Sequence, residues 1–282
     1  MVIKTNPITL SNPIQRILTG IGLTLVIVFV LTRENSLLFP MFLISIASLA
    51  SYEWSQTVGC ENFISRLTYS LITIFITTSL FVLINDLMAV LLSSLALVYI
   101  SLCALILLLE ERGSQLNLNL QTLWQAGGLV IIPICSVMLL TIFQIAPKYV
   151  AYLLIVVGSI DTFCYAGGKL LGKTQFVPII SPNKTIEGLL VGFIVSFLVF
   201  YLLNFSFNVF VLDIFAINGA YLLIFLGAVL GDLNVSIMKR KSGKKNTGRI
   251  FPGHGGILDR IDSILFAAPC FFIALSSFRI IL

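Results

Sequence analysis

Long apolar runs separated by short polar stretches dominate the chain. Nine of them are candidate membrane spans, at 17–32, 37–54, 67–84, 87–109, 126–145, 149–165, 186–203, 215–230 and 263–281. A hydrocarbon core about 30 Å thick calls for roughly 20 apolar residues per helix, so the shorter runs are near the minimum. The runs are continuously apolar rather than alternating, which predicts helices and not a barrel. The stretch 204–214 could extend either neighbour. The first run lacks a small-residue cleavage site and reads as an anchor rather than a removed signal. The expected fold class is therefore all-α, a polytopic transmembrane helical protein of about nine spans, with active-site loops at the cytosolic face. No internal repeat divides it. One continuous membrane domain is expected, with residues 1–148 as an N-terminal spanning region and 149–282 as a C-terminal region that carries the chemistry.

Composition supports this picture. Hydrophobic residues make up 58% of the chain and charged residues 10%, against roughly 25% charged in a soluble domain. Such a chain cannot surround an apolar core with a polar shell, so lipid is its expected solvent. The net charge of +5 points to anionic headgroups and a cytosolic loop bias rather than to nucleic acid. Threading nine spans from a cytosolic N-terminus puts fourteen lysines and arginines inside, and only Arg33, Lys148 and Arg279 outside. The loops 167–185 and 232–262 then share the cytosolic side and can face each other. The five cysteines are scattered without a C-x-x-C pair and read as small buried hydrophobes.

The richest polar segment is 231–263. Six cations stand between Lys239 and Arg249, with Asp232 before them and Asp259 and Asp262 after. Glycines at 243, 248, 253, 255 and 256 let the backbone turn tightly and approach a ligand. Carboxylates framing a cationic, glycine-rich loop suit a polyphosphate with a divalent metal. Cations alone would also fit a loop that merely touches anionic lipid. Helix capping is an alternative for Asp259 and Asp262 but fits Asp232 poorly, because it closes an apolar run and a helix C-terminus repels negative charge. His254 is the single histidine and, flanked by glycines, is expected to contact substrate. Upstream, Asp161 and Tyr165 are four apart and share a helix face. The run 180–188 follows, with Ser181 or Thr185 as a helix cap and Glu187 in the first turn. Lys169, Lys173 and Lys184 add positive charge on the same side.

Together these residues resemble the phosphatidate cytidylyltransferase (CDP-diacylglycerol synthase) family. The C-terminal pattern is carried by Gly231, Asp232, Ser236, Lys239, Arg240, Lys245, Gly248, Pro252, His254, Gly255, Gly256, Asp259, Arg260 and Asp262. The upstream pattern is carried by Ser181, Pro182, Lys184, Thr185, Glu187 and Gly188, and the intramembrane acid by Asp161 with Tyr165. The resemblance implies an enzyme that makes CDP-diacylglycerol and pyrophosphate from CTP and phosphatidate, working on membrane lipid. It implies Mg²⁺ held by Asp232 and Asp259. Lys239, Arg240, Lys245 and Arg260 would bind phosphates, and His254, Gly255 and Gly256 would shape the loop. Asp161, Tyr165, Ser181, Lys184, Thr185, Ser236 and Asp262 would complete the substrate-binding set. The setting it implies is a multi-pass protein of the bacterial inner membrane with its active site facing the cytosol. The residues neither require nor exclude a homodimer. Two positions depart from the family pattern: Val235 and Asn246 stand where acids are usual. Each deletes a negative charge near the expected metal site, which keeps a weakly active or degenerate homologue open as an alternative. A CTP-dependent lipid-alcohol kinase is the other alternative, one that would leave CDP.

Overall fold

The computed structural model describes residues 13–33, 37–112, 120–207, 209–210, 214–244, 246–248, 250 and 255–277, with side chains described from Thr19 onward. Among them are nine α-helices: α1 (Pro13–Thr32), α2 (Leu38–Thr57), α3 (Phe63–Leu83), α4 (Asp86–Glu111), α5 (Leu120–Ile145), α6 (Pro147–Leu171), α7 (Ile186–Phe207), α8 (Ile214–Lys241) and α9 (Leu258–Ser277). A two-stranded antiparallel hairpin, β1 (Gln175–Val177) and β2 (Ser181–Thr185), sits between α6 and α7.

Six helices, α3 to α8, are long and apolar enough to cross a bilayer, so the protein is a polytopic all-α membrane protein. The helices follow the apolar runs, but the expected nine spans are not all of one kind. The helix α9 buries most of its residues, among them Leu258, Phe266, Phe271 and Ala274, so much of it faces protein rather than lipid. It packs on α8, α5 and α4. By contrast, Phe75, Val82, Leu202 and Phe205 are more than two-thirds exposed, an outward apolar surface that suits hydrocarbon. The main pairings are α6 with α7 and α8 with α9.

Some of the polar groups buried between the helices close hydrogen bonds across them. Trp54 Nε1 donates to the Trp124 carbonyl at 2.8 Å, and the Tyr69 hydroxyl to the Gln125 carbonyl at 2.7 Å, tying α2 and α3 to α5. The Tyr221 hydroxyl donates to the Phe193 carbonyl at 2.6 Å, tying α8 to α7. In lipid such bonds supply packing specificity that the hydrophobic effect cannot.

Two local expectations need correction. The segment 232–241 is not loop: α8 continues through it to Lys241. The apolar run ends at residue 230, but Leu233, Val235, Ile237 and Met238 remain buried, so one apolar face still drives the helix. Asp232 therefore lies about two and a half turns inside α8 rather than at its end. The C-terminal turn is instead occupied by Lys239, Arg240 and Lys241, where the helix dipole favours cations. Ser181 does not cap α7; it lies in β2. Thr185 does, its Oγ1 accepting the Gly188 amide at 3.1 Å.

Candidate functional site

The polar residues of α6, β2, α8 and α9 converge on one cavity of about 460 Å³. Asp161 and Tyr165 reach it from α6, and Ser181, Lys184 and Thr185 from the hairpin. Asp232 and Lys239 come from α8, and Asp259, Arg260, Asp262 and Ser263 from α9. Asn246 lines it from the intervening loop. What brings α8 and α9 together here is Gly231, where a Cβ would collide with the Asp262 carbonyl oxygen. Backbone contact at that point sets Asp232 and Asp262 side by side on facing helices.

Two ion pairs organise the cavity. Lys184 Nζ lies 2.7 Å from Asp232 Oδ2, and Ser236 donates to Asp232 Oδ1 at a longer 3.3 Å. Lys239 Nζ lies 2.9 Å from Asp259 Oδ1. Asp259 Oδ2 also accepts the amides of Thr247 and Gly256, at 3.0 and 3.1 Å. The Gly256 bond runs from an in-helix acid back to an amide that precedes α9, the reciprocal arm of a capping box, so a role at the helix start and a cavity role coexist at Asp259. Ser263 Oγ donates to Asp161 Oδ1 at 3.0 Å, joining α9 to α6. Asp262 Oδ1 accepts its neighbour's amide, that of Ser263, at 3.0 Å. Glu187 catches the backbone amides of Lys173 and Thr174 at 3.0 to 3.2 Å and so fastens the hairpin to α7.

Most of the residues singled out from sequence thus share one chamber. Ser236 touches it through Asp232. Arg240 does not line it, being exposed on α8 one residue beyond Lys239, where the helix turns it away. Gly255 and Gly256 act from the loop that leads into α9, Gly255 with φ of +83°. Lys245 and His254 lie outside the described residues. The two departures from the family pattern separate. Asn246 lines the cavity. Val235 is 1% exposed on the packed face of α8 and does not line it, so the charge absent there is not facing this chamber.

Sequence reasoning missed the contribution of α2 and α4. Glu53 of α2 contacts the loop around Thr247. At the end of α4, Glu110 pairs with Lys241 at 2.6 Å, and Glu111 Oε1 accepts the Ile179 amide at 3.1 Å. The adjacent acids thus hold the end of α8 and the hairpin, the two elements that supply the cavity's lysines. Isolated acids within or bordering an apolar run were the available signal.

A divalent cation is compatible with this donor set. Among the described residues, no group of three or more metal-ligating side chains is gathered at a point. Hard cations such as Mg²⁺, however, commonly take one or two carboxylates and complete their shell with water and phosphate oxygens. Asp232 keeps spare acceptor capacity at Oδ1, which has only the long Ser236 contact, whereas both oxygens of Asp259 are engaged.

The sequence model of the cytidylyltransferase family matches residues 14–278. The chain is similar to the phosphatidate cytidylyltransferase of Staphylococcus aureus (strain COL), at 45% identity over 125 residues covering 43% of this chain and 46% of that protein. It is 44% identical over 132 residues to the Helicobacter pylori (strain ATCC 700392 / 26695) protein of that name, covering 42% and 44%. To the Rickettsia bellii (strain RML369-C) protein of that name it is 40% identical over 152 residues, covering 51% and 66%. The chain spans about half the length of the first two relatives and about two-thirds of the third.

Proposed function

The chain belongs to the cytidylyltransferase family, and from that premise we propose that it is a nucleotidyltransferase that makes CDP-diacylglycerol and pyrophosphate from CTP and phosphatidate. The observation that carries the proposal is the cavity itself. Three cationic side chains, Lys184, Lys239 and Arg260, stand with four carboxylates around a chamber built by membrane helices and the hairpin. A chamber of that kind suits two polyanions, one of them anchored in lipid.

The lipid phosphate is already a nucleophile at neutral pH, so neither a serine triad nor a covalent enzyme intermediate is needed. Its oxygen attacks the α-phosphorus of CTP in line. The new bond joins the two phosphorus atoms through that oxygen, and the bond to the β-phosphate bridging oxygen breaks as pyrophosphate leaves. The protein's contribution is then positioning and neutralisation of charge. Lys184 and Lys239 leave their aspartates for phosphate oxygens as substrates enter, and Arg260 adds a third contact. Asp161, fixed by Ser263, marks the α6 wall beside the lipid head, while the acyl chains stay among the helices. Mg²⁺, held by Asp232 and Asp259, would supply a Lewis acid that offsets charge on the phosphates. The excess of cations in the loops expected to be cytosolic supports a cytosol-facing site, and the bacterial relatives support a place in the inner membrane.

The test is to supply the purified protein, in detergent, with Mg²⁺, CTP labelled at either the α- or the γ-phosphate, and phosphatidate or, in a parallel reaction, a lipid alcohol. The α-label should appear in a lipid and the γ-label in pyrophosphate. Transfer of the γ-label to lipid with release of CDP would replace this reading by a kinase. No transfer of either label would leave a degenerate homologue.

A further inference from the structure

The first five helices supply the scaffold, yet one acidic side chain among them reaches the site's loop. Glu53, on α2, is 1% exposed. Its Oε2 accepts the Thr247 hydroxyl at 3.0 Å and the Leu258 amide at 2.9 Å. Its Oε1 has no hydrogen-bond partner among the described residues. Thr247 and Gly256 in turn give their amides to Asp259 Oδ2. The loop is therefore gripped from two sides. Asp259 holds its backbone from the cavity, and Glu53 holds Thr247 and the first turn of α9 from within the bundle. No side chain fits between them, because a Cβ on Gly248 or Gly256 would collide with the Glu53 carboxyl group.

A buried acid in an apolar helix is costly, and an apolar residue of similar size would fill the same space but leave the buried Thr247 hydroxyl and Leu258 amide without an acceptor. Packing therefore does not account for Glu53. Nor does direct chemistry, since Glu53 does not line the cavity. What remains is the loop that Glu53 fixes, which carries Asn246 into the cavity and leads to Asp259.

We propose that Glu53 is a positioning residue of the active site. Through Thr247 and Leu258 it holds the 246–248 segment against the start of α9, so that Asp259 presents Oδ1 to the cavity beside Lys239. The inference rests on the nucleotidyltransferase reading for its effect on turnover, but the bracing itself has a readout that does not involve activity.

Glu53→Leu keeps roughly the volume and removes the one oxygen, Oε2, that accepts both donors. Thr247→Val removes one donor from the other side. In the whole chain in detergent, each variant should speed amide hydrogen exchange at 247–248 and 255–258 by about tenfold, the scale of one lost hydrogen bond. Exchange across the α6–α7 pair should be unaltered. Turnover should fall by about 10- to 100-fold, as for other residues that orient a ligand set, with KM for phosphatidate unchanged. The double variant should be no worse than the more severe single one, because both break one contact. Unaltered loop exchange, or losses that multiply in the double variant, would overturn the proposal, as would faster exchange with undiminished turnover. If Glu53→Leu does not fold, Thr247→Val decides by the same measures, beside Glu53→Gln, whose amide oxygen can take both donors and should leave loop exchange and turnover near the parent's. A parent protein without CDP-lipid synthesis would sink the reaction assignment, while the exchange arm would still judge the brace.

Discussion

The two lysine–aspartate pairs of the cavity look alike on paper and are built differently. Asp232 sits inside α8 and meets Lys184 from the hairpin, with side-chain exposures of 30% and 21%. Its other support is a long bond from Ser236. Asp259 opens α9, meets Lys239 at exposures of 9% and 14%, and receives two backbone amides as well. One aspartate is available and the other is structural as well as chemical. The ligand role proposed for both therefore does not imply a shared role in folding. Asp259 fixes the loop geometry, and Asp232 supplies charge to a site already formed.

The largest effect that would test this contrast is at Asp259. Asp259→Ala should lower turnover by about 100-fold or more, the range for losing a preorganised charge contact in an active site. It should also lower stability, because Lys239 is left buried without its partner, a loss of about 3–5 kcal/mol. Asp232→Ala should lower turnover on the same scale but cost about 1 kcal/mol or less, as for partly exposed pairs. Thermal unfolding in detergent, read beside the activity assay, separates the two. Equal loss of stability in both variants would erase the distinction.

A topological measurement sharpens the comparison further. Both lysines must come from one aqueous face if they serve one chamber. Single cysteines placed at Lys173 and Lys244, with Cys60 and Cys164 replaced, should both react with an impermeant reagent from the cytosolic side only. Labelling of the two positions from opposite sides would place the hairpin and the α8 end on different faces and break the site.

The membrane architecture was legible because continuous apolar runs have few alternatives to helices in lipid. The site was legible as a set of residues, since most of those singled out line one cavity. Its framework was not. The continuation of α8 past residue 230 was hidden because charges at 232, 239, 240 and 241 look like loop, while the buried face between them is only a few residues long. The β1–β2 hairpin was hidden because strands of three and five residues, one containing Pro182, carry too little pattern to register. Glu53 was hidden because a lone acid in an apolar run gives no clue to its partner, which lies 194 positions away. Such long-range pairing is set by helix packing, which periodicity does not encode.

The smallest effect expected is at Asn246, and it bears on the same contrast. Asn246 lines the cavity on the Asp259 side, where both aspartate oxygens are already engaged. An acid at this position would give that side the spare acceptor that Asp232 already offers on the other. Two unit charges 4 Å apart attract by about 4 kcal/mol at an effective dielectric near 20, an upper guide rather than a net energy. A quarter of that, about 1 kcal/mol, corresponds to roughly fivefold in affinity. Asn246→Asp should therefore lower the Mg²⁺ concentration for half-maximal CDP-lipid synthesis several-fold, with little change in thermal stability because the side chain is exposed. Val235→Glu need not accompany it, since Val235 is packed away from the chamber. An unchanged or weaker Mg²⁺ response in Asn246→Asp would mean that the amide itself contacts the nucleotide, and that the Asp259 side works through backbone and lysine contacts without a spare carboxylate.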